Sequence, residues 1–411
     1  QWKNPDYSQD GVPVKEQKET TGHAVRAMYL YTGAADVAAA KNDLGYMNSM
    51  KTVWEDVVYR NMYITGGIGS SGSNEGFSAD YDLPNENAYC ETCASVGMVF
   101  WNQRMNLLTG ESKYVDVLER SLYNGALDGL SLSGDRFFYG NPLASSGKHS
   151  RSEWFGTACC PSNISRLIAS LGNYVYAKSN DAVWVNLFVG SNTTISLKNA
   201  KVLIRQETNY PWDGNNAIHV SPDRKTKFKV NIRIPGWAQG KPVPGETYKY
   251  VEEGSTPFQL KLNGKEVPFV LNNGYAVIER VWNKNDVINL VLPMEVKKVV
   301  SSDNVKENAG KVALERGPLV YCFEHADNKG KAMNNILPDN AKATANFRQD
   351  LLGGVTTIEC EAAVVRPSGD GSSVETVRES ITAIPYFSWA NRGNGEMQVW
   401  VPRKAVSVLV K

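Results

Sequence analysis

The sequence predicts an α+β, multidomain chain: a helical part over residues 1–180 and a β-sandwich region over residues 181–411, built as one sandwich or two. Three observations carry this. Apolar residues recur at helical spacing through the first ~180 residues. Beyond that point short runs alternate apolar and polar, the period of a half-buried strand. Asn-Gly pairs at 263–264 and 273–274 lie between such runs, and that dipeptide suits a tight hairpin.

The helical candidates come first in the chain. Thr20–Tyr31 reads as a helix ended by Gly33, and Asp36–Tyr59 as a longer one. Ala88–Leu108 is a third, closed by Thr109-Gly110 as a stop. Lys113–Leu130 follows with Val115, Leu118, Leu122 and Ala126 on one face, and Ser162–Tyr176 is the fifth. Gly66–Asn87 is Gly/Ser-rich and aperiodic, the signature of a functional or disordered loop. Tyr139–Gly156 is a second irregular stretch. Strand candidates are residues 183–189, Thr193–Leu197, Lys227–Ile234, Gln259–Leu262, Tyr275–Arg280, Val287–Leu292, Lys311–Tyr321 and 395–401. There is no internal repeat.

Lys and Arg number 44 against 43 Asp and Glu, a net charge of +1, which argues against a nucleic-acid partner. No apolar run approaches the ~20 residues of a membrane-spanning helix. The opening residues Gln1-Trp2-Lys3-Asn4-Pro5 carry no apolar leader and no initiator Met, so the chain is expected to be a processed or truncated piece.

Six cysteines in a chain this long do not make a disulfide scaffold. Four fall in two clusters, Cys90-Glu91-Thr92-Cys93 and Cys159-Cys160-Pro161. A disulfide between neighbours would be strained, so the pair reads as reduced thiols. Zinc takes four Cys, His, Asp or Glu ligands. One set is Cys90, Cys93, Cys159 and Cys160. A second replaces Cys90 by Glu91, and needs an irregular helix start because residues 91 and 93 do not share a face of a regular helix. Four inert, buried cysteines are the bland alternative.

The strings TGHAVRAMYLYTG, YITGGIGS, YDLPNENAYCETCASVG, ERSLYNGALDGLS, FFYGNPL, ACCPSN, IRIPGWA, ERGPLVY and IPYFSWANRGNGEM resemble the bacterial β-L-arabinofuranosidases of glycoside hydrolase family 127 and its sister family 146. The resemblance runs from about Asp6 to about Pro402. It implies an (α/α)6 barrel followed by jelly-roll-like β-sandwich domains. Such a barrel takes twelve helices and five are readable, so only its C-terminal half is expected in this chain. It implies zinc on Glu91, Cys93, Cys159 and Cys160, with Cys159 as nucleophile and Glu75 as acid/base. It also implies that His23 and Tyr139 contact the sugar.

That chemistry is sound. Cysteine reacts as thiolate, and a bound metal keeps a thiol deprotonated. Attack on an anomeric carbon, with Glu75 first protonating the leaving oxygen and then activating water, gives retention. It departs from the usual scheme, in which a second carboxylate attacks. Asp80, Asp82 and Glu86 compete with Glu75; Asp82 and Asn85 are expected to cap or turn the chain. His149, His219 and His325 read as structural, Cys322 and Cys360 as buried, and Glu119, beside Arg120, as half of an ordinary ion pair. The expected function is a retaining exo-glycosidase releasing β-L-arabinofuranose from plant glycans. The alternatives are a related glycosidase for another plant-wall sugar and a non-catalytic carbohydrate binder with structural zinc. A bacterial cytoplasmic or periplasmic protein is expected, with a glycan substrate, no nucleic-acid or membrane partner, and a homodimer allowed.

Overall fold

The computed structural model describes residues 5–252, 254, 256–369 and 373–404. It is a mixed α+β architecture with helices first and three sheets after them. The helices of eight or more residues are α1 (Ala24–Lys41), α2 (Leu44–Arg60), α3 (Thr92–Thr109), α4 (Ser112–Arg120) and α5 (Cys160–Ser170). No described helix is long and apolar enough to cross a membrane.

Helix α1 runs straight through Gly33, where a stop was expected. The stop lies nine residues on, at Asn42, which takes the left-handed conformation and returns its N–H to Ala38 and Ala39. Asp43 then caps α2 by accepting from Gly45 and Tyr46. A lone glycine inside a helix costs only about 1 kcal/mol, less than the burial of Ala34, Ala35 and Ala38 just beyond it returns. Helix α3 begins at Thr92, four residues later than the periodicity suggests, and closes at Gly110 as expected. The segment expected as one helix over 113–130 changes pitch: α4 gives way to a π-wound stretch, Ser121–Ala126, and a 3-10 turn, Leu127–Gly129. The fifth helix breaks at Leu171, and Tyr176 already opens a strand.

Two antiparallel-rich sheets follow and share one apolar core. The first orders strands 265–266, 259–262, 286–291, 215–222, 201–208 and 191–196; the second orders 270–272, 275–282, 226–233, 182–185 and 176–178. Val202, Ile204, Ile218, Val220, Ile288 and Leu290 of one face meet Val183, Val185, Val230, Ile232, Ala276 and Ile278 of the other. Alternation along 201–208 puts every second residue inside, as strand geometry requires. The third sheet carries eleven strands, centred on 355–367, 374–385, 319–324, 311–316 and 296–301. The expected strand 311–321 is a hairpin, broken at Gly317-Pro318 because proline cannot donate to the ladder. The expected strand 395–401 is likewise two short pieces, Glu396–Gln398 and Val401–Pro402. Strand Ala144–Ser146, from the helical part of the chain, pairs with Glu396–Gln398.

Buried ion pairs join the helices to the sheets. The ion pair expected at Glu119 forms with Arg233, and Arg120 instead meets Glu315 at 3.0 Å. Arg233 also holds Asp116 at 2.7 Å and the Asn186 carbonyl at 2.6 Å, while Tyr210 donates to Glu119 at 2.8 Å. Arg151 pairs with Asp128 at 3.1 Å and donates to the Trp389 carbonyl at 3.0 Å.

Candidate active site and metal centre

The site is built where the start of α3, the start of α5 and the loop before α3 converge. Glu91 is the residue before α3 and Cys93 lies in its first turn. Cys159 is the residue before α5 and Cys160 its first residue. The Cys93 sulfur lies 3.3 Å from that of Cys159 and 3.5 Å from that of Cys160. Glu91 Oε1 lies 3.3 Å from Cys159 and 3.5 Å from Cys160. All four donor atoms fall within 4.8 Å of one another. A tetrahedral zinc site with Zn–S bonds of about 2.3 Å and Zn–O of about 2.1 Å has edges of about 3.5–3.8 Å, so the donors fit such an ion with little movement.

Cys90 stands apart. Its positive φ of 39° turns it out of the helical path, and burial pushes its thiol well above the usual range, so it stays protonated. The choice between Cys90 and Glu91 is thus made by the backbone: with Glu91 still outside the helix, its carboxylate can turn toward the sulfur that Cys93 presents from inside it.

Electrostatics point the same way. Burial, then the neighbouring Cys159, pushes the Glu91 carboxyl up to about 8. Glu91 Oε2 is buried with no hydrogen-bond partner. Hydrogen bonding from Cys160 and Cys93, with a further one from Tyr139, draws Cys159 down, making it the first thiol of the cluster to ionise. Its place at a helix N-terminus adds to this. Cys93 and Cys160 are pushed up by their hydrogen bonds with Cys159. Three sulfurs and an unsatisfied carboxylate, packed together, form a donor set for a cation.

Glu75 reaches this cluster from the other side. His23 Nε2 lies 3.1 Å from its carboxylate, and donor atoms of His23, Glu75 and Glu91 also lie within 4.8 Å of one another. The Gly66–Asn87 loop is ordered here by backbone bonds. Ala24 N–H donates to the Glu75 carbonyl at 3.1 Å, Phe77 N–H to Gly22 at 2.9 Å, and Ser71 and Gly76 exchange two bonds of 3.0 Å. Gly76 is obligatory: a Cβ there would lie 1.7 Å from the Gly22 carbonyl oxygen. Glu75 itself sits at φ 52° with its side chain 41% exposed, open to an incoming ligand. Its competitors are engaged elsewhere. Asp80 meets Arg60 and Asn61, and Glu86 accepts from Ser146 N–H. Asn85 does not cap; its amide bonds the buried Asn308 of the C-terminal sheet region, and the residue heading α3 is Glu91.

His23 serves two neighbours. Its Nδ1 accepts the Val25 N–H at 3.1 Å, capping α1, which leaves the Nε2 proton to face Glu75. Burial first, and Arg26 among the opposing neighbours, holds its pKa below the usual 6.5, against the pull of Glu75. The folded protein therefore takes up this proton later than the unfolded chain as pH falls. The stability this contributes is present above pH ~6.5 and is lost as pH drops through the folded value. Urea unfolding between pH 8 and 5 is expected to show a steeper acid loss for the wild type than for His23→Asn, which keeps a capping side chain; parallel curves would refute it.

Tyr139 is fixed by its carbonyl, which accepts the Thr92 N–H at 2.9 Å, and by Phe155 edge-on at 5.2 Å. Burial, then the neighbouring Cys159, pushes its hydroxyl well above the usual range. Sequence reasoning passed over Tyr89, whose ring lies 6.3 Å from that of Tyr139. Burial, then the charges of Glu91 and Glu75, pushes its hydroxyl well above the usual range. Its place one residue before Cys90-Glu91 was the available signal. Of the remaining histidines, His149 bonds Ser145 at 3.0 Å and His219 pairs with Glu207 at the surface. Cys322 and Cys360 are buried, as expected.

Known proteins carry the same plan. Three family models match in succession: the β-L-arabinofuranosidase GH127 catalytic domain over residues 1–173, its middle domain over 182–294, and the glycoside hydrolase family 127 C-terminal domain over 296–402. A non-reducing end β-L-arabinofuranosidase of Bifidobacterium longum subsp. longum is 37% identical across 97% of this chain and 62% of its own length. A solved GH127 β-arabinofuranosidase superposes with TM-score 0.94 at 43% identity, over 97% of this chain and 63% of its own. A GH127 β-L-arabinofuranosidase from Geobacillus stearothermophilus T6 superposes with TM-score 0.90, also at 43% identity and over the same shares of both chains. The chain thus spans about three fifths of the length of these relatives. By fold, by sequence and by all three of its consecutive blocks, it belongs to glycoside hydrolase family 127.

Proposed function

We propose that this protein is a retaining exo-glycosidase that releases terminal β-L-arabinofuranose from plant-derived glycans, with Cys159 as nucleophile and Glu75 as acid/base. The observation that carries the reading is the meeting of a partly exposed, readily ionised Cys159 with Glu91, Cys93 and Cys160 beside the open carboxylate of Glu75. A structural metal site is closed, whereas a catalytic one keeps a face open. That is why the carbohydrate-binding alternative is the weaker one. The helical part is read as a portion of an (α/α)6 barrel.

Glu91, Cys93, Cys159 and Cys160 would hold zinc, which when bound keeps the sulfurs as thiolates and fixes their directions. The Cys159 sulfur attacks the anomeric carbon as the Glu75 carboxyl protonates the departing glycosidic oxygen. A thioglycosyl bond to Cys159 results. Glu75, now a carboxylate, takes a proton from water, which attacks the same carbon and frees the Cys159 sulfur. Two inversions at one carbon give net retention. His23 Nε2–H aims the Glu75 carboxylate, and Tyr139 steadies the Cys159 thiolate and the sugar.

The test is turnover of p-nitrophenyl β-L-arabinofuranoside alongside zinc analysis of the same preparation. Activity is expected to scale with zinc near one ion per chain, to vanish on chelation and to return with zinc. A zinc-loaded, folded protein that leaves this substrate untouched would move the reading to another sugar.

A further inference from the structure

A second set of ligand atoms lies beside the sulfur cluster, and Glu91 belongs to both. Its Oε1 lies 3.3 and 3.5 Å from the Cys159 and Cys160 sulfurs. Its Oε2 is buried with no hydrogen-bond partner. An oxygen of Glu91, an oxygen of Glu75 and a ring nitrogen of His23 lie within 4.8 Å of one another. His23 Nε2 meets the Glu75 carboxylate at 3.1 Å. Among the described residues neither carboxylate has a Lys or Arg ion-pair partner; Arg26, three residues after His23, lies over the Tyr7 ring at 4.8 Å. Two ionised carboxylates this close repel each other. A divalent ion removes that repulsion and gives the orphaned oxygen a partner. Two carboxylates and an imidazole are also a ligand set that zinc accepts, with a position left for water.

We propose that His23, Glu75 and Glu91 form a second, weaker divalent-cation site, bridged to the sulfur site by the two oxygens of Glu91, and that filling it stops turnover. The inhibitory half rests on the reading of Glu75 as acid/base. An ion on Glu75 takes the oxygen that must carry the proton, so the departing glycosidic oxygen loses its acid. Glu75, with its side chain 41% exposed, lets the ion enter from solvent. The site is the weaker one because of its donors. It has no sulfur, and His23 Nδ1 accepts the Val25 N–H at 3.1 Å. An ion at Nε2 moves the ring proton to Nδ1 and breaks that helix cap, which lowers affinity about fivefold.

The test is zinc titration of the whole chain against a competing chelator, with turnover of p-nitrophenyl β-L-arabinofuranoside followed over the same range of free zinc. Wild type is expected to take two zinc ions, one tight and one weak. Turnover should rise as the first loads and fall as the second does. Glu75→Gln and His23→Asn are each expected to weaken the second ion about tenfold or more and to leave the first within about twofold. The turnover that remains in His23→Asn should no longer fall at high zinc. If His23→Asn fails to fold, Glu75→Gln decides. One zinc per chain at every concentration overturns the proposal. So does a second ion whose affinity neither variant changes, because it sits elsewhere, and so does turnover that stays flat while the second ion loads. A protein that binds both ions, loses the second in the variants and never cleaves the arabinofuranoside supports the site and refutes the proposed activity instead.

Discussion

Cys159→Ala is expected to abolish turnover, a loss of about 10⁵–10⁶ by analogy with other covalent nucleophiles, while the protein keeps its cooperative unfolding. The cysteine is also a prospective ligand, so zinc content must be measured in each variant. Cys160→Ser is the control, because it too removes a sulfur from the cluster but leaves the nucleophile in place. Glu75→Gln should cost about 10²–10⁴ on a substrate with a poor leaving group. On a nitrophenyl glycoside the loss in the first step should be far smaller, since that leaving oxygen needs little help from an acid. Glu75 makes no bond to the sulfurs, so Glu75→Gln should retain its zinc. A Cys159→Ala protein that keeps more than about 1% of wild-type turnover would end the proposed mechanism.

The second large effect concerns stability. Arg233 is fully buried between Asp116 and Glu119 of α4, and Glu119 is itself buried. Arg233→Met removes the cation and leaves the carboxylates in a medium that cannot hydrate them. The expected cost is about 3–5 kcal/mol, the range for breaking a buried pair from one side. Adding Glu119→Gln should restore part of that loss, because the stranded charge goes with it. Denaturant melts of the two single variants and the double variant give the coupling. A single-variant cost under about 1 kcal/mol would mean that the pair is solvated in solution.

The two cases mark what the sequence makes legible. The cysteine clusters were readable because few residue types ligate metal, and because adjacency at 159–160 already excludes a relaxed disulfide. The choice between Cys90 and Glu91 was not readable from the residues themselves. It depends on a positive φ at residue 90 and a helix that waits until Thr92, and neither leaves a periodic trace. Glu119 reads as one half of an ion pair, but its partner lies 114 positions away in another unit, a separation no local pattern spans. The long hairpin 355–367 with 374–385 was missed because its outer ends expose both faces, so the alternation fades where the strands leave the core.

Ala144–Ser146 completes a ladder whose other rungs come from the far end of the polypeptide. A protein trimmed to its first 294 residues would lose those rungs and bare the backbone groups of that short segment. It would also take from Arg120 its charged partner Glu315, and from Asp128 the Trp389 indole that supplements Arg151. Anyone dissecting this protein should therefore not expect the helices to survive as a soluble fragment: the candidate site and its distant support hold each other in place.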